Sequence, residues 1–201
     1  MSSSPPPVVV PHIVAVNAAL GGEGGKTAAL VERAVRQLGP RARVTTLSLA
    51  EQPGFDPHVA VLASADAFLF ATGTYWDSWS SHLQRFLEEG TPFEGTPLWL
   101  GKPVGVLVTA HSVGGKGVLS RLQGVLSTLG CAIPPMSGIV VKLASQTALA
   151  AGGDGHALDF WSPDDLEVVA HNLLEAAAGT RRFVSWDVDR QDPKRRWLQA
   201  G

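Results

Sequence analysis

Apolar runs of strand length alternate with helix-spaced apolar stripes over most of the chain. Residues 12–17, His-Ile-Val-Ala-Val-Asn, form the first run and read as a buried strand. Over 26–38, Thr27, Leu30, Val31, Ala34, Val35 and Leu38 recur at helical spacing, and Gly39-Pro40 ends the pattern. A second strand is expected over 43–49, a loop over 52–57 and a short helix over 59–63. The apolar run 67–72 gives a third strand, and Leu83, Phe86 and Leu87 mark one face of the helix after it. A fourth strand is expected over 103–109. A helix over 117–129 comes next, with Val118, Leu119, Leu122, Val125, Leu126 and Leu129 on its buried stripe. Ala132-Ile133 and 139–143 supply the last strand, split or bent by Pro134-Pro135. After a glycine-rich loop at 152–155, Ser162-Pro163-Asp164-Asp165 opens the last helix, with serine as N-cap, proline in the first turn and acids at the positive end. Leu166, Val169, Ala170, Leu173, Leu174 and Ala177 form its buried face.

Five strands separated by helices imply an α/β fold with a parallel sheet covered on both faces. Right-handed crossovers make it doubly wound, a three-layer α/β/α arrangement. Residues 1–11 are Ser/Pro-rich without a basic residue and read as a disordered tail, and 12–178 as one domain without internal repeats. The extension 179–201 carries Phe183, Trp186 and Trp197 among Arg181, Arg182, Lys194, Arg195 and Arg196. It is expected to dock on its own domain or on a second subunit, since Asp187, Asp189 and Asp192 interrupt the basic run and disfavour a nucleic-acid arm.

Three loops lie just past the carboxyl ends of strands, where open α/β sheets bind ligands. The first, Asn17-Ala18-Ala19-Leu20-Gly21-Gly22-Glu23-Gly24-Gly25-Lys26-Thr27, combines flexible glycines, a helix start, a cation and a hydroxyl, which suits a phosphate. Gly25-Lys26-Thr27 also matches the end of a Walker A motif, but the first glycine of that motif falls on Leu20, and no strand ends in a magnesium-binding aspartate. The second loop, Gly73-Thr74-Tyr75-Trp76-Asp77-Ser78-Trp79, presents flat apolar rings beside a helix start. The third, Thr109-Ala110-His111-Ser112-Val113-Gly114-Gly115-Lys116-Gly117, allows close backbone approach.

The second loop resembles the flavin-contacting turn of the NADPH-dependent FMN reductase family, often Thr-Pro-x-Tyr-Trp-Gly-Ser, and the resemblance extends over about residues 12 to 143. Here Gly73 stands for the proline and Asp77 for the glycine. The family's phosphate loop resembles Gly-Ser-Pro-Arg followed by Gly-Asn-Thr. Here Ala19 stands for the serine, the arginine near Gly21 is lost and Lys26 replaces the asparagine. The resemblance implies a flavodoxin-like sheet of order 2-1-3-4-5 that binds FMN. It implies hydride transfer from NADPH or NADH through FMN to a small electron acceptor such as a quinone, an azo compound or free flavin. It assigns Asn17, Ala19, Gly25, Lys26 and Thr27 to the phosphate. Thr74, Tyr75, Trp76, Asp77 and Ser78, with Ala110, His111, Ser112, Gly114 and Gly115, fall to the ring. The flavin carries the chemistry, so no protein acid, base or metal is required. A homodimer or homotetramer is implied, with Trp79, Trp99 and the tail aromatics as contact residues.

Composition narrows the alternatives. The chain has 201 residues, 45% hydrophobic and 17% charged, enough for one buried core. A net charge of −2 gives no support to bulk nucleic-acid binding and counts against a strongly acidic electron carrier. The single cysteine, Cys131, reads as a buried core residue and excludes Cys-cluster metal sites. No leader or membrane span is read, so a cytoplasmic location is expected. Three other readings stay open at this point: a flavodoxin-like binding or regulatory protein without redox activity, a P-loop-type nucleotide hydrolase, and an FMN electron carrier.

Overall fold

The computed structural model describes residues 10–152 and 161–179 of the chain. The terminal segments 1–9 and 180–201, including Phe183, Trp186 and Trp197, lie outside the described residues, as does 153–160, which includes most of the glycine-rich loop. Five parallel strands form one sheet in the order β2-β1-β3-β4-β5: β1 His12–Asn17, β2 Arg43–Ser48, β3 Ala67–Gly73, β4 Val104–Ala110 and β5 Gly138–Lys142. The helices are α1 Lys26–Leu38, α2 Val59–Ala63, α3 Ser81–Glu89, α4 Gly115–Leu129, α5 Leu143–Ala150 and α6 Leu166–Ala178. This is the flavodoxin-like topology expected from the sequence.

Burial is set by position in the sheet. The central strands β1 and β3 are buried at every residue, while the edge strand β2 is half-exposed throughout. Strand period two divides the side chains between two cores. Ile13, Ala15, Leu69 and Leu107 pack under α1 and α6, and Val14, Val16, Phe68 and Phe70 pack under α2, α3 and α4. Both cores are continuous, which fixes the strand ends and hence the loops beyond them. Among the described residues no helix is long and apolar enough to cross a membrane.

Three sequence readings need correction. Trp99 is not a contact residue: it is completely buried against Phe55 and Phe68, with ring centroids 5.8 and 5.2 Å away. Helix α5 begins at Leu143, read as a strand end, and runs over 144–150, to which the sequence pattern assigns no element. Its Leu-Ala-Ser-Gln-Thr-Ala-Leu-Ala sequence favours helix by propensity but leaves no residue buried, so no stripe announces it. The last strand is a single piece, Gly138–Lys142, and Ala132 makes only an isolated bridge to Pro103. Cys131 is buried as expected.

Candidate functional site

The first loop is built by Asn17, buried at the end of β1. Its Oδ1 accepts from the Ala19 N–H at 3.1 Å, and its Nδ2 donates to the Gly22 carbonyl at 3.2 Å. A short asparagine thus holds the loop from inside, as Asx turns do. Gly22 sits at φ +59, a conformation glycine adopts without strain. Helix α1 begins after Gly25 with no side-chain cap and no acid in its first turn. Its first N–H groups therefore have neither a side-chain nor an intrahelical partner. A Cβ added at Gly21 or Gly24 would meet nothing within 4 Å, so the space above the loop is open.

Two residues expected at the phosphate are placed differently from each other. Thr27 is buried, and its hydroxyl is bonded to the Thr109 hydroxyl at the end of β4, 2.7 Å away. What Thr27 offers the loop is its backbone N–H. Lys26 is exposed and lines a cleft with Ala29, Leu30 and Arg33 along the flank of α1. Ala19 is buried and contributes backbone only.

The second loop is a tight two-residue turn. Tyr75 and Ser78 exchange both backbone hydrogen bonds, at 2.8 and 2.9 Å, and Trp76 and Asp77 between them have φ +48 and +57. Two successive residues with positive φ between exchanged bonds define a type I′ turn. Aspartate tolerates this region; a tryptophan there is uncommon and points to a constraint beyond local preference. The Trp76 side chain is fully exposed. Tyr75 folds back over Gly73, where a Cβ would lie only 2.9 Å from its ring. Glycine in place of the family's proline makes room for the ring, whose hydroxyl accepts from the Leu20 N–H at 3.3 Å in the first loop. Behind the turn, Ser80 caps α3 by accepting from Leu83 N–H at 3.2 Å, which anchors the turn to the helix.

The third loop meets the second. Thr74 N–H donates to the Thr109 carbonyl at 2.8 Å. Gly114, at φ +81, lies against the Asp77 carboxylate, with the Asp77 Cγ 3.0 Å from the position of a Gly114 Cβ. The Arg121 guanidinium of α4 donates to the Asp77 carbonyl and lies 5.8 Å from the Trp79 ring. Asp77 is thus turned toward the start of α4, which has no side-chain cap of its own. Gly115 is buried, and His111 and Ser112 are exposed. Ala110 is buried at the end of β4.

All three loops therefore converge, linked by Leu20 to Tyr75, Thr27 to Thr109, and Asp77 to Gly114. Their exposed apolar side chains, Leu20, Trp76 and Val113, come one from each loop. The donor set fits FMN: open glycines and unpaired helix N–H groups for a phosphate, with apolar rings beside them. Thr74 Oγ1 is buried without a protein partner, as a ligand-facing hydroxyl would be. Sequence reasoning named Thr109 and Leu20 within the loops without giving either a contact, and missed Arg121. Thr109 reads as a strand residue, and the other two act through contacts that no local pattern encodes.

The model of the NADPH-dependent FMN reductase family matches residues 11–146. No match is found among curated protein sequences. Among solved structures, an oxidoreductase from Corynebacterium diphtheriae superposes with a TM-score of 0.65 at 16% identity, covering 84% of this chain and 97% of that one. The flavoenzyme FerB, an NAD(P)H:(acceptor) oxidoreductase from Paracoccus denitrificans, gives a TM-score of 0.62 at 18% identity, over 84% and 97% of the two chains. An NADH:FMN oxidoreductase, EMOB, gives 0.61 at 19% identity, over 83% and 88%. At these identities the structures support the fold. The family match spans two-thirds of the sequence and all three loops, and the chain belongs to the NADPH-dependent FMN reductase family.

Proposed function

We propose that this oxidoreductase holds FMN across its three loops and passes a hydride from NADPH or NADH to a small acceptor. The observation that carries the proposal is the convergence of the loops, each tied to another by a hydrogen bond or close contact, at the carboxyl ends of β1, β3 and β4. When bound, FMN supplies the hydride relay between nicotinamide and acceptor. The uncapped N–H groups of α1 and the open glycines bind the phosphate by dipole and hydrogen bond. Lys26 adds charge at the rim. The Tyr75–Ser78 turn presents backbone groups at fixed geometry to the ring edge, and Asn17 keeps the first loop in register with it. The exposed Trp76 ring walls the face where nicotinamide and acceptor alternate, and His111 and Ser112 border the opposite edge. Asp77 points its carboxylate toward α4, which keeps that charge from facing the ring.

The acceptor belongs to the class of quinones, azo compounds or free flavins. The exposed Leu20, Trp76 and Val113, one from each loop, support assembly of two or four copies around the site, since exposed apolar surface favours association. A titration comparing FMN with riboflavin tests the phosphate assignment. FMN is expected to bind at least about tenfold tighter, because charge-assisted contacts to the phosphate are the strong ones. Equal affinities would refute the first loop as a phosphate site.

A further inference from the structure

A cleft of about 350 Å³ lies beside α1, bordered by the ends of β4 and β5 and by α5. Its charge is one-sided. Lys26, Arg33 and Arg36 of α1 line it, and no acidic side chain does among the described residues. Spacings of three and seven bring these cations along one flank of the helix. Its floor is apolar, with Leu30 and Val141. Gln146 of α5 also lines it, and its Nε2 is a buried donor without a protein partner. Buried donors are rarely left unmet in native proteins. Arg33 pairs with Asp164 and Arg36 lies 3.9 Å from Glu32, whereas Lys26 has no partner among the described residues. The larger cleft on the other flank of α1, about 670 Å³, is edged by Glu23, Glu32 and Glu51 and shares Arg36 with this one.

Cations, an unmet N–H donor and an apolar floor call for one chemistry. We infer that this cleft is a second ligand site, for a small amphiphilic anion: a ring or short chain bearing a carboxylate, phosphate or sulfonate. Its volume is at the lower end for small-molecule pockets, about 300–1,000 Å³, which suits one or two fused rings. The cleft touches the flavin loops at Lys26, Thr109 and Ala110. Arg33, Arg36, Val141 and Gln146 lie outside the residues assigned to FMN and Lys26 is shared, so the inference goes beyond the flavin reading and is tested on Arg33 and Gln146.

The test is calorimetric titration of the full chain, with and without FMN, by 2-naphthoate, and by neutral 2-naphthamide as control. One saturable site is expected, with naphthoate binding at least about tenfold tighter than the amide, as a charge-assisted contact requires. Arg33→Met and Gln146→Leu should each weaken naphthoate about fivefold or more while leaving FMN affinity unchanged, since each removes one hydrogen-bonding group. Trp76→Ala should leave naphthoate binding intact. If Arg33→Met does not fold, Gln146→Leu alone carries the test. Absence of saturable binding, equal binding of acid and amide, or loss in Trp76→Ala with none in Gln146→Leu would each overturn the inference.

Discussion

Replacing Gly114 with alanine probes the contact that joins the second and third loops. Gly114 has φ +81, where an L side chain costs about 1–2 kcal/mol. The new Cβ would fall inside the envelope of the Asp77 carboxylate, with Asp77 Cγ at 3.0 Å and Thr74 Cγ2 at 3.3 Å. The carboxylate end is mobile and exposed, so it swings out rather than forcing the backbone apart. That costs a side-chain reorientation of about 0.5–1.5 kcal/mol. Gly114→Ala is therefore expected to lose about 1.5–3.5 kcal/mol in the parent chain. Asp77→Gly removes the obstacle and suits the turn, since glycine accepts φ +57 and the carbonyl held by Arg121 stays. In that background Gly114→Ala should cost only the backbone term of about 1–2 kcal/mol, leaving a coupling of about 1 kcal/mol between the sites. Urea unfolding of the four proteins measures the cycle. FMN affinity should change in parallel, with Gly114→Ala weakening binding more in the parent than in Asp77→Gly. The same unfolding cost in both backgrounds would refute the contact, and unchanged FMN affinity would separate it from the cofactor.

Burial and exposure set the other expectations. Trp76→Ala should leave stability within about 0.5 kcal/mol, because the ring touches little, yet weaken FMN or acceptor binding by about 0.5–1.5 kcal/mol as a lost stacking surface; a large drop in urea midpoint would contradict the exposed placement. Trp99→Ala should cost about 3–5 kcal/mol in urea unfolding, since the indole is completely buried among phenylalanines; a near-neutral effect would argue for the contact role read from sequence. Burial pushes the Cys131 thiol up to about 12 from an ordinary value of 9.0, against a smaller lowering by Lys102. The folded chain therefore holds this proton longer than the unfolded chain, so this group's stabilisation is intact below pH 9.0 and is lost as pH rises toward about 12. The loss is about 1.4 kcal/mol per pH unit, read as the difference between parent and Cys131→Ala melting over that range. Rapid thiol labelling of the folded chain at pH 8 would contradict it.

Much of the fold is legible in the residues because burial is periodic. The runs at 12–17 and 67–72 alternate between two cores, and the stripes of α1, α4 and α6 face them, so pattern and packing agree. Where no face is buried, the pattern falls silent. Helix α5 shows this, with apolar residues on every side. Trp99 shows the converse, since an aromatic residue looks alike in a core and at an interface, and only the tertiary arrangement puts it between Phe55 and Phe68. The three loops were visible as glycine, hydroxyl and aromatic clusters after strands. Their mutual contacts were not, because the Thr27–Thr109 bond spans 82 positions and Leu20 meets Tyr75 across 55. The tight turn explains itself afterwards: Trp76 and Asp77 carry no glycine signal, and their positive φ is fixed by Tyr75, Ser78, Arg121 and Gly114.

FMN binding and reduction are read most directly from the visible absorbance of the purified chain after incubation with FMN and desalting, monitored anaerobically as NADPH and then NADH are added. Flavin is expected to stay with the protein and to lose its visible band on addition of either nucleotide. A chain that retains no flavin, or flavin that neither nucleotide bleaches, would contradict the proposed function.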